Sequence, residues 1–518
     1  MILTDKQLTY LTYAVVIVFA IFPLFAPLPF RIHLDLPWEG AYRLYLGQVP
    51  YKDFGMPLGL GFFIMPYFCF LVFGPTLKSL LISQVIVTIL SAWVLRKIVL
   101  KLNFSVSVAF LVTFIYCLSY TFIYFWPWYN NTAITYQFVS ILFLLYAFEK
   151  ETFKKRFLYY TLAAFFTFLT FFTKQDYGGL ALLLNIALVI IYALHSKNYM
   201  DVPFIVFEVV QVVFIVIVFL YKTDFSYWFN YGQVPHESRL SLFKILDEIF
   251  QNSTWEKFYI LVLMIHLYVV FVQNKKWPSL KESLFYLLVL GIVCEALITK
   301  TTSGNSTGNT TYYHAFGVLL LLYVSAKYIQ LNSLFSILIL MSFSFIWFSG
   351  DYWKYLNRIF PRSENTKNVL ADTSKSEVQH VNWVTCDIPV FSKVKMPEET
   401  IQGLKDSKEI YNSMKLVSPN ILNMTEVTML AYDWQYIPQK NSPLWFHVGV
   451  GMFQKQIDEF NRNIRSQTYD MVLFEEVPHL DNFFPSACFT ELKKNYKLRL
   501  KFLAPNKDHD SYIYVFTK

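Results

Sequence analysis

The first two-thirds of the sequence consists of long apolar runs separated by short polar segments. A helix needs roughly 20 apolar residues to cross the hydrocarbon core of a bilayer. Eleven runs come near that length and are predicted to span a membrane: residues 10–30, 77–95, 104–125, 132–148, 157–173, 179–195, 203–221, 256–273, 282–299, 313–331 and 332–349. A further run, from Pro57 to Phe73, is short and interrupted by proline and glycine. We predict that this run is interfacial or re-entrant, although a full crossing is the alternative.

The last third of the sequence has the pattern of a soluble domain. Helical periodicity is predicted at 398–414, 452–465 and 487–496, and strands near 420–430, 471–477, 498–503 and 511–516. The predicted fold is therefore an α-helical polytopic membrane domain with about 11–12 transmembrane helices, residues 1–349, followed by a small α/β domain, residues 350–518. The second domain shows no catalytic motif, so we predict that it is structural or docks an acceptor.

Charge fixes the predicted orientation. The chain is 55% hydrophobic and 15% charged, with a net charge of +8. Its basic residues cluster between apolar runs and form no stripe with interleaved aromatic residues, so no nucleic-acid partner is expected. The positive-inside rule places the basic segments 96–101, 150–156 and 275–281 in the cytoplasm. The segments then predicted to lie outside are 31–76, 126–131, 174–178, 222–255, 300–312 and the C-terminal domain.

Cysteine usage leaves one question open. Of five cysteines, Cys386 and Cys488 fall in the soluble domain and could pair in an oxidising compartment or remain free. No Cys/His spacing typical of a metal site is present, so no metal ligands are predicted.

The loop after the first apolar run, RIHLDLPWEGAYRLYLGQVPYKDFGMPLG, is dense in charge for a segment apposed to a membrane. The residues from about Pro37 to Leu46 are predicted to form a short amphipathic helix along the membrane surface. Charged groups at this depth are costly unless they are used, which points to a function for the loop.

The order Asp, Glu-Gly-x-Tyr-Arg, Gly-Gln-x-Pro-Tyr-Lys-Asp-Phe and Pro-x-Gly in this loop resembles the first outer loop of the GT-C superfamily. These polytopic glycosyltransferases use lipid-phosphate sugars and include the protein O-mannosyltransferases and the bacterial aminoarabinose transferases. The resemblance implies that an acid after the first helix is the catalytic base. We prefer Asp35. Glu39 is the alternative, because many relatives have an Asp-Glu pair, whereas here Leu36 follows Asp35 and the next acid is Glu39.

A second similarity concerns the substrate. Thr173-Lys174-Gln175-Asp176 resembles a Thr-Lys pair of the family, which implies that Lys174 holds the lipid phosphate; otherwise it is a snorkelling interfacial lysine. Relatives often carry a second acid where this chain has Asn130, and an amide cannot act as a base. His314 either contacts substrate or is an interfacial histidine. The predicted substrate-binding residues are Arg43, Lys52, Asp53, Asn130, Lys174, Asp176 and His314.

The resemblance implies an integral membrane glycosyltransferase, in the bacterial inner membrane, with its C-terminal domain outside. It would move a sugar from a polyprenyl-phosphate donor to a glycan, lipid or protein acceptor, with inversion. No cofactor is demanded, although some branches of the superfamily use a divalent cation. A transporter or flippase for lipid-linked saccharides is the alternative, but the sequence shows no convincing internal repeat. A purely structural membrane protein would leave the charged first loop without a role.

Overall fold

The computed structural model describes residues 1–31, 34–197, 199–220, 223, 242–303, 310–359, 382–478, 483–505 and 511–518. Most of the predicted outer loop 222–255, the segment 304–309 and His33 lie outside these ranges. The description that follows concerns the described residues alone.

The N-terminal part is a bundle of helices. In chain order they are α1 Asp5–Phe25, α2 Asp35–Tyr45, α3 Ile64–Phe73, α4 Leu77–Lys101, α5 Val106–Thr121, α6 Tyr129–Phe148, α7 Phe153–Phe171, α8 Gln175–Ser196, α9 Pro203–Leu220, α10 Leu242–Asp247, α11 Thr254–Tyr268, α12 Leu280–Ser303, α13 Ala315–Ser325, α14 Leu334–Trp347 and α15 Ser349–Ile359. A helix coincides with each of the eleven predicted apolar runs. The prediction of a largely helical membrane domain is confirmed.

By length and apolar composition, six described helices could cross a membrane, or seven if α14 and α15, bent by 53°, form one broken span. Four more apolar helices are shorter: Gly61–Phe73, Val106–Thr121, Pro203–Ile215 and Thr311–Ser325. The run at 57–73, whose crossing was in question, forms one of these short helices. Proline and glycine shorten the regular part of such runs, so counting apolar residues gives more spans than measuring helices does.

The C-terminal part alternates helices and strands as predicted. Its elements are β3 Trp383–Thr385, β4 Val394–Pro397, α16 Glu398–Ser413, β5 Ile421–Met424, α17 Leu430–Asp433, β6 Ser442–Pro443, α18 Gln454–Arg465, β7 Met471–Glu476, α19 Ser486–Asn495, β8 Lys497–Leu503 and β9 Tyr512–Thr517. The main sheet has the order β5-β7-β9-β8, with β5 parallel to β7 and the other pairs antiparallel. The predicted α/β architecture is confirmed.

Two short strands, one before and one after α2, join the C-terminal part. Strand β1, Leu28–Pro29, pairs in parallel with β4, and strand β2, Phe54–Gly55, pairs in parallel with β6. Helix α2 lies between these two strands in the chain, and residues 35–43 of it are all buried. The placement of this helix along the membrane surface stays a prediction, but the helix is present and is enclosed by protein. Its polar face is covered by the C-terminal part, so protein groups replace the water that an amphipathic surface helix would need.

The positions of Cys386 and Cys488 show whether these two cysteines pair. Cys386 and Cys488 are both free and lie in two different apolar clusters. Burial raises the pKa of the Cys386 thiol to about 11 and that of the Cys488 thiol to about 12. The two thiols are thus packing groups of the core.

The turn between α7 and α8 is packed backbone against backbone. A Cβ placed on Gly178, in the first turns of α8, would lie 2.0 Å from the Cα of Phe171 in α7. A Cβ on the neighbouring Gly179 would meet nothing within 4 Å. Lys174 is the last residue of this turn, directly before α8, so its position depends on the close approach of the two helices at Gly178.

These adjacent glycines give a matched test of that packing. We expect Gly178→Ala to force α7 and α8 apart and to destabilise the protein by about 1–3 kcal/mol, the usual cost of overpacking. Gly179→Ala should be neutral or slightly stabilising, since alanine favours helix. Thermal unfolding of the purified proteins in detergent measures both. Equal melting temperatures for the two variants would contradict the close packing of the turn.

Candidate functional site

The carboxyl group of Asp35, at the first position of α2, meets that of Glu426, which follows β5. The two side chains share a hydrogen bond. The pKa of Asp35 is raised well above its usual value, first by burial, then by the neighbouring Glu426 and to a smaller extent by Glu39. The second oxygen of Asp35, Oδ1, is buried and has no hydrogen-bond partner among the described residues. One side of this carboxyl is thus held, and the other is available for a proton.

A small cavity of ≈10 Å³ lies at this pair, with walls from both parts of the chain. Its lining combines the two carboxyl groups with aromatic and aliphatic side chains: Asp35, Leu36, Thr425, Glu426, Leu444, Trp445, Phe446, Phe483 and Phe484. Few of these residues belong to the first outer loop.

Sequence reasoning missed Glu426. The parallel register of β5 and β7 sets Met424 opposite Phe474, and the N–H of Glu426 donates to the Glu475 carboxylate at 2.8 Å. No motif marks this segment, and it lies far from Asp35 in the chain. Only the pairing of the strands brings this carboxyl to the first outer loop.

Next to this pair, Glu39 and Arg43 form a buried ion pair, with 2.7 Å between Oε1 and Nη2. The guanidinium of Arg43 also donates to Gln48 Oε1 at 3.0 Å, to the carbonyl of Gln439 at 2.7 Å and to Ser442 Oγ at 3.0 Å. Burial raises the pKa of Glu39, and the opposing effect of Arg43 is smaller. Arg43 therefore ties α2 to the C-terminal part, and its donors point at protein groups.

Two other predicted substrate residues of the loop lie apart from the Asp35 cavity. Lys52 is exposed at the surface. Asp53 accepts the N–H of Val49 at 2.8 Å and pairs with Lys440 at 3.3 Å. The Val49 N–H, with a smaller contribution from Lys440, lowers the pKa of Asp53. Asp53 thus closes the turn that precedes β2.

Lys174 is buried and only 4% exposed, so it does not carry its ammonium group to water as a snorkelling lysine does. Its Nζ lies 3.1 Å from Asp176 and donates to Thr302 Oγ1 at 3.0 Å. The ring of Tyr129 is 5.8 Å from the same atom. The predicted pair Lys174 and Asp176 is therefore brought together, on the polar end of the bundle. Asn130, also predicted, is buried at the start of α6.

A second buried cation lies nearby on α12. The ammonium of Lys300 is 2.5 Å from the carboxylate of Glu256, which also lies 2.9 Å from Nε2 of His314. His314 is thus bound to a protein partner, as expected for one of its two readings. Sequence reasoning did not single out Glu256, and Lys300 entered only as part of a polar segment. The available signal was the presence of both charges at the ends of apolar runs.

An apolar cavity of ≈310 Å³ opens between α5, α11, α13 and α14. Tyr259 lines it and packs edge-on against His314, with 5.3 Å between ring centroids. The apolar cavity therefore adjoins the cluster of Glu256, Lys300 and His314.

No group of three or more His, Cys, Asp or Glu side chains among the described residues is arranged to hold a metal ion. We assign no metal ligands to this site.

The helical bundle, the buried loop helix and the α/β part together define a GT-C-like fold. Two crystal structures of ArnT from Cupriavidus metallidurans, one bound to undecaprenyl phosphate and one in the apo state, align with 98% of this chain and 97% of their own. The TM-score is 0.53 and the sequence identity 10% in both cases. The predicted resemblance to the GT-C superfamily is thereby confirmed at the level of the fold.

An oligosaccharyltransferase from Archaeoglobus fulgidus, crystallised with Zn and sulfate, aligns with 90% of this chain and 68% of its own, with a TM-score of 0.49 and 8% identity. No family model and no curated protein matches the sequence.

The buried pair of Glu39 and Arg43 makes a prediction about stability. Arg43→Met leaves a buried carboxylate without its cation, which costs about 3–5 kcal/mol. A group whose folded-state pKa is raised stabilises the fold below that pKa and loses this contribution as pH rises. The melting temperature of Arg43→Met should therefore lie closer to that of the wild type at about pH 5 than at about pH 8.

The double variant Glu39→Gln/Arg43→Met contains no unpaired charge and serves as the control. We expect it to recover most of the lost stability and to show less dependence on pH. A single variant as stable as the double one at both pH values would disprove the role of the ion pair.

Proposed function

We propose that this protein is a membrane glycosyltransferase that transfers a sugar from a polyprenyl-phosphate donor to a hydroxyl group of an acceptor outside the cytoplasm. The observation that carries the proposal is the buried carboxyl of Asp35, held on one side and open on the other at the polar end of a GT-C-like bundle. The binding of undecaprenyl phosphate by ArnT, which shares the fold, supports the class of donor.

In this proposal Asp35 is the general base. Burial and a neighbouring carboxyl make it a stronger base than an ordinary aspartate, and a base works best when its pKa approaches the working pH. Glu39, the alternative, is engaged by Arg43, so its lone pairs are directed to a guanidinium. This difference favours Asp35.

The reaction then proceeds by direct displacement. The acceptor oxygen bonds to the anomeric carbon, the bond between that carbon and the phosphate oxygen breaks, and the acceptor proton passes to Asp35 Oδ1. The products are the glycosylated acceptor, with inverted configuration, and the polyprenyl phosphate monoester. Negative charge develops on the phosphate, so a cation must lie close to it.

We assign that role to Lys174, with Lys300 as a second cation. Both ammonium groups are buried, and each is held by a carboxylate, Asp176 for Lys174 and Glu256 for Lys300. The apolar cavity beside His314 would take the isoprenoid chain. In this proposal the other charged residues predicted to bind substrate have structural or surface positions; they are Arg43, Lys52 and Asp53. Asp176 orients Lys174, and Asn130 and His314 line the polar end.

We propose a domain division after residue 349, the first residue of α15. Residues 1–349 form the membrane domain with its catalytic loop at 31–76, and residues 350–518 form the outer α/β domain. The positive-inside pattern supports a location of this domain outside the cytoplasm. The membrane that we propose for the helical domain is the bacterial inner membrane. The acceptor is a glycan, a lipid or a protein.

Replacing the base should remove the activity and leave the fold. Mass spectrometry of lipid-linked sugars and surface glycans in cells with and without the gene identifies the transferred sugar. In that assay Asp35→Asn should lower transfer by about 10²–10⁴-fold, the usual contribution of a general base. Asp387→Asn, at an exposed position of the C-terminal part, is the matched control. Full transfer by a folded Asp35→Asn protein would remove Asp35 as the base.

The proposed phosphate site has its own test, with undecaprenyl phosphate as the probe. The double variant Lys174→Gln/Asp176→Asn removes the ammonium without leaving a buried carboxylate unpaired. It should bind undecaprenyl phosphate about 10–100-fold more weakly, as expected when a charged hydrogen bond is lost.

Titration of the probe into purified protein, followed by thermal shift, measures this affinity. Lys415→Gln, at an exposed site, should bind as the wild type does. Unchanged affinity in the double variant would rule out Lys174 as the phosphate contact.

A further inference from the structure

The C-terminal part forms much of the wall around Asp35. Thr425, Glu426 and the stretch from Leu444 to Phe446 all line the small cavity at this carboxyl. Two connections hold this wall in place: β2 pairs with β6, and Arg43 donates to Gln439 and Ser442. Both connections end in the segment 439–443, so this segment is fixed against α2 and against the strand that follows α2.

Among the described residues, Glu426 is the one carboxyl in that wall besides Asp35 itself. Its side chain bonds to Asp35, and its backbone N–H is held by Glu475 at 2.8 Å. Two carboxyl groups in hydrogen-bond contact need a proton between them, because two adjacent buried carboxylates repel each other strongly.

We propose that Glu426 is a positioning residue of the reaction centre: its hydrogen bond holds one oxygen of Asp35 and so leaves Asp35 Oδ1 oriented to accept a proton from the acceptor. This inference rests on the proposed function. It makes the C-terminal part a component of the active site, with a task beyond structure or docking.

The proton balance is closed within the pair. At the start the pair holds one proton, shared in the hydrogen bond between the two carboxyl groups. The acceptor hydroxyl passes its proton to Asp35 Oδ1 as the new glycosidic bond forms, and the pair then holds two protons and no charge. Loss of one proton to water returns the pair to its starting form.

The surroundings of the pair fit this assignment. The charged groups that face it are Glu39, one turn along α2 and neutralised by Arg43, and Glu475, behind Glu426 on β7. Neither Glu39 nor Glu475 brings a positive charge to Asp35. Burial, then the carboxyl of Glu426 and to a smaller extent that of Glu39, raise the pKa of Asp35, so the pair keeps one proton above the pH at which an ordinary carboxyl loses it.

Conservative and disruptive variants separate this role from a structural one. Glu426→Gln keeps a hydrogen-bond donor of the same shape, whereas Glu426→Ala removes it. In the transfer assay we expect the rate of the Gln variant to stay within about tenfold of the wild-type rate. The Ala variant should be slower than the Gln variant by about 10–100-fold, the effect of losing a hydrogen bond to a charged group. A Gln variant as slow as the Ala variant, or an Ala variant as fast as the wild type, overturns the proposal.

A second measurement does not depend on activity. A folded pair that keeps a proton which the unfolded carboxyls release makes the protein less stable as pH rises. The melting temperature of the full-length protein, followed from about pH 5 to about pH 9, should fall less steeply for Glu426→Gln and for Asp35→Asn than for the wild type. Glu409→Gln, exposed on α16, should keep the wild-type slope.

The two measurements distinguish the possible failures. Wild-type slopes in both Glu426→Gln and Asp35→Asn would show that no proton is shared, and would overturn the inference whatever the reaction is. Transfer that survives in Asp35→Asn, together with reduced slopes, would keep the pair and refute Asp35 as the base. In that case the inference about the reaction falls with the proposed function.

Discussion

The contact between helix α2 and the C-terminal part is the constraint on which the rest of the site depends. Glu39 and Arg43 are charged groups with almost no access to water, and a buried ion pair is tolerated only when its remaining donors find partners. Gln439 and Ser442 supply those partners from the far end of the chain. Because the same segment contributes β6 to the pairing with β2, the electrostatic and backbone connections reinforce each other.

This contact between α2 and the C-terminal part sets the position of Asp35, one turn before Glu39 on the same helix. A carboxyl on a free outer loop would be solvated and would behave as an ordinary aspartate. Enclosure by the C-terminal part removes that water and brings Glu426 into contact, and both effects raise the pKa of Asp35 in the same direction. The chemistry proposed for Asp35 is thus a property of the assembled interface and not of the loop alone.

The two buried lysine ammonium groups are held by ion pairs within the helical bundle. Lys174 and Lys300 are buried at the polar end of the bundle, each with a carboxylate partner, Asp176 and Glu256 respectively. A lysine paired in this way is fixed in direction. The close packing at Gly178 fixes the turn that carries Lys174, so the cation depends on helix packing as Asp35 depends on the domain contact.

The sequence by itself determined the membrane class, the eleven apolar helices, the order of helices and strands in the C-terminal part, and the helix of the first outer loop with Asp35 at its start. These features follow from local periodicity, which depends on residues close together in the chain. It also singled out Lys174 and Asp176, whose ion pair the structure then showed. Only the tertiary structure decided that α2 is enclosed and that Arg43 connects it to the C-terminal part. The contacts of Glu256 with Lys300 and His314, and of Glu426 with Asp35, were likewise decided by the tertiary structure alone. Each of these contacts joins segments far apart in sequence, and their geometry depends on strand register and helix packing, which leave no local pattern to read.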